Sequence, residues 1–114
     1  MSKLPGGDRI DRNQIASKLS QYALNPNHRD GKHKARLFSV KLGITIANQS
    51  ILEDALLNAV AQAEVIYQSS SEYGEKYVVD FILETEIGTA QIRSCWIVRF
   101  GEDYPRLVSI YPTR

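Results

Sequence analysis

The hydrophobic pattern of this chain changes period once, near residue 65, and that change restricts the fold more than any other feature. Before it, apolar residues recur at helical spacing. After it, β-branched and aromatic residues alternate with polar ones, as half-buried strands require. Helices first and strands afterwards, with short links, predict an α+β domain in which about three N-terminal helices pack on one face of a four-stranded antiparallel sheet.

The helical part reads in three pieces. Asp11 is placed to cap a first helix with Gln14 in the capping-box position, and Ile15, Leu19, Tyr22 and Ala23 share one face. Asn25-Pro26 ends it, because proline lacks an N–H and pushes the preceding residue out of the α region. A second helix is predicted near 32–42 from Ala35, Phe38 and Leu42, with Gly43 as a left-handed stop. Ser50-Ile51-Leu52-Glu53 reads as a capping box for a third, carrying Leu52, Ala55, Leu56, Ala59, Val60 and Ala63 on one face.

Four strands are predicted beyond the change: Val65 to Ser69, Lys76 to Glu84, Gln91 to Phe100 and Arg106 to Tyr111. Their links are short enough for hairpins, so the sheet should be a meander. Alternation puts Tyr77, Val79, Phe81 and Leu83 on one face of their strand, and Ile92, Trp96, Val98 and Phe100 on one face of theirs. Arg93, Cys95 and Ile97 then point the other way. A guanidinium in a central strand needs an anion or an open groove. Arg93 therefore either pairs with Asp80 or Glu84 or meets a ligand.

With 114 residues the chain has room for one domain, read as 9–114 behind a flexible tail at 1–8 containing Pro5, Gly6 and Gly7. A formal net charge of +1 argues against a generic polyanion binder and leaves only a local patch. Residues 28 to 41 supply one: Arg29, Lys32, Lys34, Arg36 and Lys41 face the single acid Asp30. Cys95 is the only cysteine, which fits a reducing compartment. No run is long or apolar enough to span a bilayer or serve as a signal peptide, so the expected location is the cytoplasm.

Both histidines fall inside that basic stretch. One chemistry for it is an anion site, with free N–H groups of Asp30-Gly31-Lys32 at the helix start holding a phosphate beside Lys34. The other is metal-free RNA cleavage. In it His28 or His33 acts as base or acid, while Lys34 and Arg93 stabilise charge on phosphorus and Gly31, Lys32, Arg36 and Ser109 contact phosphate. The alternative leaves His28 bonding its own turn and His33 exposed. The histidines stand five apart without a Cys or carboxylate pattern, so no metal or other cofactor is expected. Tyr73, Tyr77, Tyr104 and Tyr111 are either a base-stacking surface or half-buried sheet aromatics.

Several blocks together carry a resemblance. They are Leu24-Asn25-Pro26 through His28, Gly31 and Lys34-Ala35-Arg36; Tyr73-Gly74 with Lys76-Tyr77-Val78-Val79-Asp80; Arg93 with Trp96-Ile97; and Pro105-Arg106-Leu107 ending in Tyr111-Pro112. From about residue 13 to residue 112 the chain resembles a family of small bacterial domains of unknown function, standalone in cyanobacteria. These are similar to the C-terminal domains of polymorphic toxins. The resemblance implies a layout like barnase, EndoU, colicin and RelE nucleases, with His28, Lys34 and Arg93 as the residues carried over. Where the toxin-like pattern has Thr after the strand arginine and Thr before the final Tyr-Pro, this chain has Ser94 and Ser109. Two functions follow as expectations: an RNase-like component of a toxin and antitoxin pair, or a non-catalytic module that binds a small partner protein. RNA, a small cognate protein and a second copy of the chain are the partners these readings imply.

Overall fold

In the computed structural model, which describes residues 2–113, helices α1 (Arg12–Lys18), α2 (Lys32–Leu42) and α3 (Ser50–Gln62) precede strands β1 (Tyr67–Ser71), β2 (Gly74–Glu84), β3 (Thr89–Arg99) and β4 (Arg106–Pro112). The sheet is a four-stranded antiparallel meander in the order β1-β2-β3-β4. The helices cover one of its faces. Phe38 and Leu42 of α2, Leu52 and Leu56 of α3, and Ile92, Trp96, Leu107 and Ile110 of the sheet are all at most 2% exposed. Each such side chain contributes roughly 1.5–3 kcal/mol by leaving water. Ser94 is the polar member of this layer. Its hydroxyl donates to the Val79 carbonyl at 2.7 Å and accepts from Trp96 Nε1 at 2.9 Å, so the one indole is both packed and satisfied.

The helix starts differ from the capping pattern. Asp11 does accept from a backbone N–H, that of Asn13 at 2.9 Å, but Gln14 turns away from it. The Gln14 amide donates to the Leu107 carbonyl at 3.0 Å and accepts from the Leu107 N–H at 2.8 Å. β4 is an edge strand, and Gln14 satisfies its outward backbone pair as another strand would. Ser50 caps nothing. Helix α3 is entered through a 3₁₀ turn, Ile46–Asn48, whose box is Thr45 with Asn48. Glu53, buried at 8% exposure, instead binds Arg12 at 2.9 Å and Gln49 at 2.8 Å, tying α1 to α3.

Other boundaries moved for visible reasons. β1 begins at Tyr67 rather than Val65, which is core. Phe100 lies beyond the end of β3, where Gly101 turns the chain with φ +86°, and is 67% exposed rather than part of the core face. A loose tail does not describe the N-terminus. Leu4 is buried, Lys3 bridges to Glu64, and Val65 donates to the Ser2 carbonyl. Gly43 ends α2 as the sequence implied, with φ +68° and a Cβ position only 2.6 Å from Ile87.

Candidate functional site at the β4 edge

Helix α2 divides its cations between two sides because neighbouring helical residues are about 100° apart. Lys34 is half-buried and turns toward the sheet edge. Lys32, His33 and Arg36 are exposed and line a separate groove with Leu24, Val40 and Ile46. The two histidines are therefore not partners. His33 shares its surroundings with Arg36, not with His28 or Lys34.

His28 is fixed by its own turn. Its Nδ1 accepts the N–H of Asp30 at 3.0 Å and of Gly31 at 2.9 Å, while its carbonyl accepts the N–H of Lys32 at 3.0 Å. Two consequences follow. The N–H groups of Asp30, Gly31 and Lys32 are occupied, so the helix start is not the open phosphate cradle that the sequence suggested. And since Nδ1 accepts, the ring proton is on Nε2, which makes His28 a hydrogen-bond donor and removes it as a base in this tautomer. Gly31 has no room for a side chain, because a Cβ would strike the Tyr22 carbonyl.

Tyr22 connects His28 to the sheet. It lies in a π-helical turn, Leu19–Ala23, that extends α1, and such turns displace a side chain from the ordinary helical row. Its ring is 4.5 Å from the His28 ring, centroid to centroid. Lys34 Nζ stands 4.8 Å from the Tyr22 ring centre, 3.5 Å from its hydroxyl, and 5.4 Å from the ring centre of Tyr111 on β4. Cation–π attraction of about 0.5–2 kcal/mol per ring holds such an ammonium in place. Among the described residues no carboxylate lies within salt-bridge distance of Lys34.

Tyr111 is directly opposite Arg93 in the β3–β4 pairing, on the sheet face that no helix covers. Arg93 is held by Asp80 across β2–β3, with Nε to Oδ1 at 3.0 Å and Nη2 to Oδ2 at 2.9 Å, and Gln91 donates to the same carboxylate at 2.9 Å. Asp80 keeps the guanidinium firmly protonated, by these bonds and by its charge, with a smaller contribution from Tyr111. Of the two strand acids the sequence offered, Asp80 is the partner. Ser109 is on the same open face, opposite Cys95 and two residues before Tyr111. Ser94 faces the core and cannot reach a ligand there.

The structure thus brings Tyr22, His28, Lys34, Tyr111 and Arg93 into one continuous row around the β4 edge. Sequence reasoning missed Tyr22 because its helical spacing from Ile15 and Leu19 read as core. The spacing of Tyr111 from Arg93 was legible only once register was known.

A family model for a domain of unknown function (DUF6883) matches residues 3–114. The chain belongs to this family. No curated protein matches the DUF6883 chain in sequence. Among solved structures, a chain of a contact-dependent growth inhibition toxin and immunity protein complex from Klebsiella pneumoniae 342 has the same fold. It aligns with a TM-score of 0.68 at 15% identity, over 86% of this chain and 96% of that one. At that identity the likeness concerns the fold of the DUF6883 domain, three helices on a four-stranded antiparallel sheet.

Proposed function

We propose that this DUF6883 domain is a toxin-type domain acting on RNA without a metal, in the reducing interior of the cell, with the scissile phosphate held between Lys34 and Arg93. The observation that carries the reading is the Lys34 ammonium, set against Tyr22 and Tyr111 with no carboxylate partner among the described residues and with Arg93 opposite Tyr111 on β3. A cation kept free of acids beside an open face is available to an anion.

The geometry supports the following roles. Attack of a 2′-hydroxyl on phosphorus builds negative charge on the phosphoryl oxygens, and Lys34 is the group placed to stabilise it. Arg93, immobilised by Asp80, orients the phosphate rather than moving a proton. His28 donates through Nε2. As the O2′–P bond forms and the P–O5′ bond breaks, the 2′-hydroxyl proton passes to the Tyr111 hydroxyl, which gives its own proton to the departing O5′, leaving a 2′,3′-cyclic phosphate and a free 5′-hydroxyl. Lys32, His33, Arg36 and Gly31 take no part in this version, and Ser109 is left as a hydroxyl on the same face, two residues from Tyr111.

The test is incubation of the purified protein with total RNA and a chelator. Cleavage should fall about 100- to 1,000-fold in Lys34→Ala and Tyr111→Phe, the usual cost of removing one such stabilising group. No cleavage by the wild type, or cleavage that survives both substitutions, would defeat the proposal.

A second reading has its own observation. The groove behind α2, of about 580 Å³, has an apolar floor that includes Leu24, Val40 and Ile46, and a rim of Lys32, His33 and Arg36 without an acid among its lining residues. Val40 is 66% exposed there. A small partner protein with an acidic amphipathic segment fits it, and such a partner would bind without covering Lys34. Binding of that kind with no RNA cleavage would favour this reading.

A further inference from the structure

The open face does not end at Tyr111. Along β3 it runs from Arg93 to Arg99, about 20 Å away at strand spacing, and finishes where the β1–β2 turn meets the end of β3. There Phe100 donates its N–H to the Tyr73 carbonyl at 3.2 Å, which fixes the two aromatic residues side by side. Both are out in solvent, Tyr73 at 66% and Phe100 at 67% exposure. They border a groove of about 680 Å³ whose lining also includes Lys18, Lys76 and Arg99, against the single acid Glu72. Arg106 also lines it, but its guanidinium is committed to Glu102 at 2.8 and 3.0 Å.

Charge on the two faces is unevenly divided. Lys76, Arg93, Arg99 and Arg106 all belong to the open face, by their alternation and pairing. Asp80 pairs with one of these and Glu102 with another; the remaining acid of the face, Glu84, is eight residues along β2 from Lys76, so among the described residues Lys76 and Arg99 stand at the Tyr73–Phe100 end without an ion pair. Two exposed rings beside cations that outnumber the acids of the groove is the arrangement that stacks bases and tracks a phosphate backbone. A duplex keeps its base faces inside its own stack, so these rings have little to engage there. Unpaired nucleotides present both a π-face and a phosphate at each step.

We propose that the Tyr73–Phe100 end of the open face is a subsite for unpaired RNA nucleotides that flank the phosphate held at Lys34 and Tyr111. The proposal rests on the RNA reading of that site. It adds single-strandedness as the substrate class and assigns a length of strand, because a ligand reaching both ends must extend about 20 Å along β3.

The experiment is fluorescence anisotropy with a labelled single-stranded RNA of ~12 nucleotides, using the Tyr111→Phe protein to suppress cleavage. On that background, Tyr73→Ala with Phe100→Ala should weaken binding by about tenfold or more, and Lys76→Glu with Arg99→Glu should weaken it and flatten its salt dependence. A dinucleotide, too short to reach the subsite, should still be cleaved by the wild-type protein. A duplex of the same length should bind more weakly than the single strand. Equal affinity with and without the two aromatic side chains, at unchanged urea midpoint, overturns the subsite. Preference for the duplex does the same. If the dinucleotide is cleaved but long-strand affinity ignores Tyr73 and Phe100, only the subsite fails. If neither RNA is bound or cleaved, the RNA reading fails with it.

Discussion

The two faces of the sheet are built from alternating residues of the same strands, yet they answer to different physics. On the covered face of β3, Ile92, Ser94 and Trp96 are at most 1% exposed, and even the lone hydroxyl is fully used. On the open face of the same strand, Arg93 keeps contact with water while three hydrogen bonds converge on its neighbour Asp80. The first face is constrained by volume, the second by charge. Substitutions on the first should register in stability and those on the second in binding.

Trp96→Ala is the strongest test of that division. Removing a fully buried indole should cost about 3–5 kcal/mol in urea denaturation, and a loss under about 1 kcal/mol would mean the covered face is not the core it looks to be. Its neighbours give a sharper contrast. Ser94→Ala leaves Trp96 Nε1 without its partner and removes the hydroxyl bond to the Val79 carbonyl, and should cost about 1–3 kcal/mol. Cys95→Ala, on the open side, should stay within about 1 kcal/mol. Similar losses for the pair would erase the distinction between faces.

Asp80→Asn probes the open face by charge alone. Stability should drop by about 1 kcal/mol or less, since Arg93 is partly solvated, while affinity for single-stranded RNA rises as a negative charge leaves the face. Weaker RNA binding would show that Arg93 works only in the orientation Asp80 imposes.

The smallest effect belongs to the loop before β4. Arg106 foremost, with help from the Tyr104 hydroxyl, holds the Glu102 carboxyl down to about 2 from its ordinary 4.5. A depressed carboxylate stabilises the fold above its unfolded value and loses that contribution as pH falls through the folded one. The clasp should therefore weaken between about pH 4.5 and 2. Carbon-detected NMR titration of Glu102 reads this directly, and Glu102→Gln should remove that part of the acid dependence.

Much of the fold could be read in advance because it rests on periodicity. The stop of the first helix ahead of Asn25-Pro26, the Gly43 stop, the apolar face of α3 and the four strands all follow from local chemistry that acts within a few residues. The misreadings share a cause. Gln14, Ser50 and Glu53 had capping-box spacing, but Gln14 found the free backbone of Leu107 and Glu53 found Arg12, both distant in sequence. Local patterns propose partners, and tertiary contacts with better burial take them.

The candidate site shows the same limit. His28, Lys34 and Arg93 could be named from sequence, yet their relation could not. Tyr22 and Tyr111 join them, one moved by a π-turn and the other placed by β3–β4 register. His33, one residue from Lys34, was separated from it by a helical rotation of 100°.

By itself the sequence determined the order of elements, the faces of β2 and β3 that enter the core, and the concentration of charge around α2. Those properties depend on the spacing of residues along one element. Only the tertiary structure decided that Lys34 meets Tyr111, that Asp80 holds Arg93, and that Tyr73 and Phe100 stand together in solvent. These are meetings between elements, fixed by strand register and helix rotation, and no local pattern in the chain encodes either.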